Sequence, residues 1–105
     1  MANTFKNAGI AIGTSRTTLY TCPAATQAVI HALYISNVDG VNDADVTVEI
    51  TVNSTYFHVA KTVPVPADAT LLLDKPMNLE AGDIIALTAS TAGDLEVFAS
   101  ILEIA

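Results

Sequence analysis

The hydrophobic pattern is clearest at residues 45–53, where apolar and polar residues alternate strictly. The apolar positions of this segment are Val46, Val48, Ile50 and Val52. A period of two places apolar side chains on one face of an extended chain and polar side chains on the other. The segment is therefore predicted to be an antiparallel strand with one buried face and one polar face.

The same reasoning predicts seven further short strands, separated by turns that contain Gly, Pro or Asp. They are expected at residues 8–12, 17–21, 27–38, 56–65, 70–73, 84–90 and 95–104. No stretch of a dozen residues has the i, i+3, i+4, i+7 spacing of a helix without a Gly, a Pro or a β-branched run. We predict an all-β fold, a single eight-stranded antiparallel β-sandwich that is either jelly-roll-like or immunoglobulin-like.

Two of these segments are apolar on both faces. In residues 27–38, strict alternation groups Val29 with Leu33 and Ile35, and it groups Tyr34 with Ile30, Ala32 and Val38. In residues 95–104, one face carries Leu95, Val97, Ala99 and Ile101. The other face carries Phe98, Leu102 and Ile104. A strand that is apolar on both sides is either central in the core or lies between the core and a partner. We predict that Phe98, Leu102 and Ile104 are self-association contacts, with a purely central strand as the alternative.

The length of 105 residues corresponds to one domain, and no change in composition divides the chain. We predict a single domain over residues 1–105, with residues 1–7 as a candidate N-terminal arm. This arm lacks the cationic and then apolar pattern of a secretory signal. No apolar run reaches membrane-spanning length. These patterns predict a soluble protein that is made in the cytoplasm and does not bind a membrane.

Charged residues are scarce and mostly acidic. They make up 14% of the chain, against about 25% in typical globular proteins, while 51% of the residues are hydrophobic. The formal net charge is −7 and the four basic residues are scattered, so nucleic-acid binding is not expected. The centres of protein interfaces are depleted of charged residues. A surface with so few charges therefore favours assembly with other molecules.

The sequence contains no pattern of catalytic or cofactor-binding residues. Cys22 is the only cysteine, so no internal disulfide can form. Two isolated histidines do not supply the three or four ligands of a zinc site. Asp39, Asp43 and Asp45 crowd one turn, but their spacing lacks the ligand pattern of an EF-hand, and cation binding there stays an open question. We expect no enzyme activity, no cofactor and no metal.

Six segments, in their order and spacing, resemble the small β-sandwich virion proteins of tailed bacteriophages. They are LYTCPA at 19–24, ALYISNVDG at 32–40, VPVPADATL at 63–71, LEAGD at 79–83, LEV at 95–97 and ILEI at 101–104. The resemblance runs over nearly the whole chain, although each segment by itself is an ordinary turn or strand. It implies a structural protein that is present in many copies per particle and has no catalytic residues.

Within that group, the resemblance favours a head decoration (cement) protein. Such a protein would lie on the capsid surface as a homotrimer and would bind and stabilise the shell of the major capsid protein. Phe5 and Lys6 would then belong to an arm that contacts the capsid. One alternative is a neck, tail or fibre-associated structural protein of a tailed phage. The alternative of another class is a carbohydrate-binding β-sandwich module, in which the adjacent Tyr56 and Phe57 would contact the sugar.

Overall fold

The computed structural model describes residues 2–105. It contains nine strands, which are β1 (Asn3–Ala11), β2 (Thr17–Thr21), β3 (Gln27–Asn37), β4 (Ala44–Val52), β5 (Thr55–Val65), β6 (Thr70–Leu73), β7 (Met77–Leu79), β8 (Ile84–Ala89) and β9 (Leu95–Ile104). A five-stranded sheet has the order β1-β9-β3-β6, with β7 also paired to β3, and a four-stranded sheet has the order β2-β8-β4-β5. The predicted all-β sandwich is confirmed. Residues 2–105 contain no helix, and therefore none that could cross a membrane.

The antiparallel strand pairs are nested along the chain. β4 pairs with β5, β3 with β6 and β7, β2 with β8, and β1 with β9. The chain is thus one long hairpin whose tip lies between β4 and β5. Rolling this hairpin into two facing sheets brings β8 beside β4 and β9 beside β3. Of the two topologies that the sequence left open, this is the jelly roll.

The count of nine strands differs from the predicted eight because β6 and β7 share one position in the sheet. β6 pairs with residues 33–36 of β3, and β7 pairs with residues 28–30 of the same strand. Together they form one interrupted edge strand. Pro76 lies in the interruption, where its missing N–H removes no hydrogen bond from the sheet. Three residues are too few to show a period of two, so the sequence pattern did not reveal β7.

A β-bulge at His31 overturns the predicted faces of β3. Strict alternation grouped Val29 with Leu33, but the register of β3 against β9 shifts at His31. As a result, Ile30 and Leu33 both face the core, where each is fully buried. One inserted residue reverses the direction of every later side chain. Val29 and Tyr34 therefore share the outer face of the five-stranded sheet.

The first strand is longer than predicted. Pairing between β1 and β9 runs from Asn3 to Ala11 without a register shift. Residues 3–7 of the predicted arm therefore belong to the sheet, and Met1 lies outside the described residues. Only Ala8 and Ile10 of β1 pack against the core, and they do so partly. The polar residues before them hid the strand from the pattern.

The core is a single layer of apolar side chains between the two sheets, packed from both. The predicted inner face of β9 is confirmed, because Leu95, Val97, Ala99 and Ile101 are all buried. In β4, Val46 and Val48 are also buried, as predicted, and Ile50 packs partly against the core. The fourth predicted core residue, Val52, is instead 47% exposed at the end of the strand. With β1 on one side and β3 on the other, β9 is a central strand.

Replacing Leu33 by Ala tests this assignment of the core. Leu33 is fully buried, so Leu33→Ala should lower the free energy of unfolding by about 2–5 kcal/mol. Val41 is exposed in the loop after β3, so Val41→Ala should change it by less than about 0.5 kcal/mol. Urea denaturation of both variants measures the difference. Equal midpoints for the two variants would contradict the assignment.

Candidate interaction surface

A row of apolar side chains crosses the outer face of the five-stranded sheet. Phe98 of β9 lies opposite Tyr34 of β3, which lies opposite Leu72 of β6. Side chains at directly paired positions share one face. Phe98, Tyr34 and Leu72 are 46, 41 and 47% exposed. The two rings lie 5.9 Å apart between centroids, with a tilt of 45°. We call these three residues the outer row.

A second set of apolar residues lies beside the outer row on the same face. Phe5 of β1 is opposite Leu102 of β9, which is opposite Val29 of β3. Phe5 is 79% exposed, and Leu102 and Val29 are half-buried. Ile104, which is also half-buried, continues the face towards the end of β9. We call the outer row and this second set together the outer surface.

The outer surface carries almost no charge. At the outward positions between Asn3 and Ala11, and at their partners across the sheet, Glu96 is the one carboxylate, and no Lys or Arg is present. Nearly all of the net charge of −7 therefore lies elsewhere on the molecule. Covering this surface would bury apolar area, which stabilises a complex by about 25 cal/mol per Å². It would desolvate very few charges.

The structure brings the predicted contact residues together on this surface. Phe98, Leu102 and Ile104 follow each other along the outer face of β9, and Phe5 lies beside Leu102. Their role in self-association or capsid contact stays a prediction. The sequence did not single out Tyr34 and Leu72. The bulge in β3 and the cross-strand register bring these two residues onto the outer face. Neither the bulge nor the register is visible in the pattern along one strand.

Lys6, the other residue of the predicted arm, is engaged within the chain. Its Nζ lies 3.2 Å from Oε1 of Glu103, and the hydroxyl of Tyr20 donates a hydrogen bond to Oε2 of the same carboxylate. Tyr20 belongs to the four-stranded sheet and Glu103 to the five-stranded one, so this cluster links the two sheets. The Tyr20 hydrogen bond, with help from Lys6, lowers the pKa of Glu103 against the opposing effect of desolvation. Burial and the nearby carboxylate raise the pKa of Tyr20.

A second ionic cluster covers part of the outer face of the four-stranded sheet. The guanidinium of Arg16 donates to both oxygens of Glu49, each at 3.1 Å, and it lies 3.7 Å from the centroid of the Tyr56 ring. Nε2 of His58 is 3.8 Å from Glu49. The hydrogen bonds from Arg16 lower the pKa of Glu49, although burial opposes this shift. One face of the Tyr56 ring is therefore occupied by Arg16.

The acidic turn does not gather its three carboxylates into one site. Oδ1 of Asp39 accepts hydrogen bonds from the backbone N–H groups of Val41 and Asn42. Oδ1 of Asp43 accepts from the N–H of Ala67. Across residues 2–105, no group of three or more His, Cys, Asp and Glu side chains is arranged to hold a metal ion. Asp39 and Asp43 thus brace loops through separate backbone hydrogen bonds.

Comparison with known proteins gives matches only at the level of structure. No protein-family model matches the chain, and no curated protein matches it in sequence. A chain from the Bacillus endospore appendages, a family of disulfide-linked pili, aligns with a TM-score of 0.58 and 12% identity over 97% of this chain and 85% of that chain. A chain from the acidic stable capsid structure of the Helicobacter pylori bacteriophage KHP30 aligns with a TM-score of 0.55 and 9% identity over 98% of this chain and 87% of that chain. What they share is the fold.

Replacing Glu103 by Gln tests the cluster that links the sheets. The folded state lowers the pKa of Glu103, so its carboxylate stabilises the fold above its ordinary pKa of about 4.5. This contribution is lost as the pH falls through the lower folded value. Glu103→Gln should therefore have a lower urea midpoint than the wild type at pH 7, and the difference should shrink towards pH 3. Glu96→Gln, an exposed change on the same strand, should match the wild type at both pH values. A Glu103→Gln deficit that stays constant with pH would contradict this.

Proposed function

We propose that this chain is a non-enzymatic structural protein of a phage particle, and specifically a capsid decoration or cement protein. It binds the shell formed by the major capsid protein, lies on the capsid surface and associates with further copies of itself, as a trimer. The observation that carries this proposal is the outer surface, which places aromatic and aliphatic side chains on a sheet face with almost no charge.

The apolar and nearly uncharged outer surface is suited to a protein that binds an assembled shell. A domain that binds the assembled shell better than its free subunits stabilises the shell by mass action. The jelly roll offers a rigid platform for this, because the outer row lies on three paired strands of one sheet. Rigid side chains lose little entropy on binding, so more of the burial energy remains for the complex.

Both of these fold neighbours come from assemblies of protein chains, pili in one case and a capsid in the other. This supports a role in an assembly over a role as an isolated domain. The disulfide-linked arrangement of the Bacillus pili does not suit this chain. Cys22 is its only cysteine, and its side chain is buried, with Sγ 3.3 Å from the carbonyl oxygen of Thr26.

The carbohydrate-binding alternative gains no support from the aromatic residues. The ring of Tyr56 is stacked against Arg16, which leaves Phe57 without the partner expected of a flat sugar platform. The neck, tail or fibre alternative uses the same kind of surface as the proposed capsid role. Copy number distinguishes the two roles. A decoration protein binds the many subunits of the shell and is present in many copies, whereas a neck or tail protein occurs at one vertex and is present in few.

Copy number and one matched pair of variants test the proposal. Quantitative mass spectrometry of purified native particles should find this chain in numbers comparable to those of the major capsid protein. Phe98→Asp places a charge in the outer row and should strongly reduce the number of copies bound per particle. Phe57→Asp makes the same change at a residue of similar exposure, 53%, on the other sheet, and should leave that number unchanged.

Circular dichroism melts of both variants verify that each is folded before particles are compared. A copy number far below that of the capsid subunits would contradict the decoration role and favour the neck or tail. Equal occupancy by the two Asp variants would contradict the role of the outer surface.

A further inference from the structure

Four strand positions form the edges of the two sheets, and three of them are protected against pairing with another strand. β6 and β7 are short, and β2 has five residues with a register shift. β5 is long, but its pairing shifts twice, Thr62 has a φ of 51°, and Pro64 interrupts its donors. Bulges, short strands and prolines are the usual means of blocking an edge.

β1 has none of these protections. It has nine residues, contains no proline and pairs with β9 without a register shift. A charged side chain often guards such an edge. The one candidate, Lys6, is bound to Glu103 near the boundary between the two sheets. β1 is therefore the long, regular and unguarded edge of this sandwich.

The register shows which backbone groups of β1 are free. Ala2 and Ala105 exchange two backbone hydrogen bonds, of 2.8 and 2.9 Å. Bonded pairs recur at every second residue of an antiparallel ladder, so Thr4, Lys6 and Ala8 are bonded to β9. The N–H and C=O groups of Asn3, Phe5, Asn7 and Gly9 consequently point away from β9, towards the open edge.

We propose that β1 pairs antiparallel with β1 of a second copy of this chain, about a two-fold axis at Asn7. In this register Asn7 lies opposite Asn7, and Phe5 of each copy lies opposite Gly9 of the other. All of these are positions whose backbone groups face the edge, so each pair can exchange two hydrogen bonds. The two five-stranded sheets join into one continuous sheet with both outer surfaces on the same side.

The fit between Phe5 of one copy and Gly9 of the other favours this register over its neighbours and favours a second copy as the partner. Phe5 is 79% exposed, whereas Gly9 presents bare backbone on the same face, and a Cβ added there would meet only the Val97 carbonyl oxygen, at 3.5 Å. An aromatic side chain covers a glycine on a neighbouring strand well. Because Gly9 lies opposite Phe98 in its own sheet, Phe5 of the second copy would extend the outer row. A shift by two residues would instead leave Gly9 uncovered.

Charge also favours a second copy at this edge. Two chains of net charge −7 repel each other, and the repulsion is weakest where they meet through uncharged surface. The edge-facing residues of β1 are Asn, Phe and Gly, and the neighbouring outer surface carries only Glu96. The pairing concerns the free chain in solution and uses the edge of β1, whereas the proposed trimer is that of the shell-bound protein. This inference therefore does not depend on the phage-particle role.

Single cysteines test the pairing and its register. Cα atoms of a hydrogen-bonded antiparallel pair lie about 5.5 Å apart, within the range of a disulfide. Under mild oxidation, Asn7→Cys should form a covalent dimer, seen by mass spectrometry and non-reducing electrophoresis. Gly9→Cys alone should stay monomeric, because the two Gly9 positions lie far apart in this register. The wild type, whose buried Cys22 remains, should also form no covalent dimer.

Phe5→Lys gives a second readout that needs no disulfide. Sedimentation velocity should show the wild type associating as its concentration rises, whereas Phe5→Lys should stay monomeric. Phe57→Lys, on the other sheet, should behave as the wild type. Failure of Asn7→Cys to cross-link while its urea midpoint is unchanged would overturn the proposal, as would equal cross-linking of Asn7→Cys and Gly9→Cys. Loss of capsid binding with β1 pairing intact would instead count against the phage-particle role.

Discussion

A two-layer sandwich has one interior, but β9 has apolar side chains on both of its faces. Its inner residues fill the core, and its outer residues have no second layer to cover them. β3 has the same property after its bulge, so Tyr34 joins Phe98 on the open face. The exposed outer row and the expectation of a partner both follow from this one constraint.

The rolled hairpin explains why the open face and the open edge lie together. Nesting the strand pairs places the first strand beside the last, so β1 ends up as the edge next to β9. The cluster of Tyr20, Glu103 and Lys6 then ties this corner to the other sheet. Lys6 is held by that cluster and does not guard the edge. The same corner is thus tied to the other sheet on its inner side and exposes apolar side chains on its outer side.

The fold class could be predicted from the sequence because each long strand carries its own period of two. Alternation gave the correct inner face of β9 and most of that of β4, where Val52 is exposed. Phe98, Leu102 and Ile104 lie on the outer face of β9, as predicted. Alternation failed at His31, since a bulge changes the phase of a strand without any mark in the pattern. It also missed residues 3–7, which are mostly polar and become a strand through their pairing with β9. The positions of Tyr34, Leu72 and Gly9 on the outer face follow only from the pairing register across the sheet.

We infer that the outer face of the five-stranded sheet is covered when the protein functions. An electron-microscopy map of the native particle tests this most directly, because it shows what contacts Phe98, Tyr34 and Leu72. We expect another protein surface, from the shell or from a second copy, to pack against these side chains, while the Arg16 and Glu49 cluster on the opposite face lies towards solvent. A map in which the outer row faces bulk solvent would show that this face has no partner.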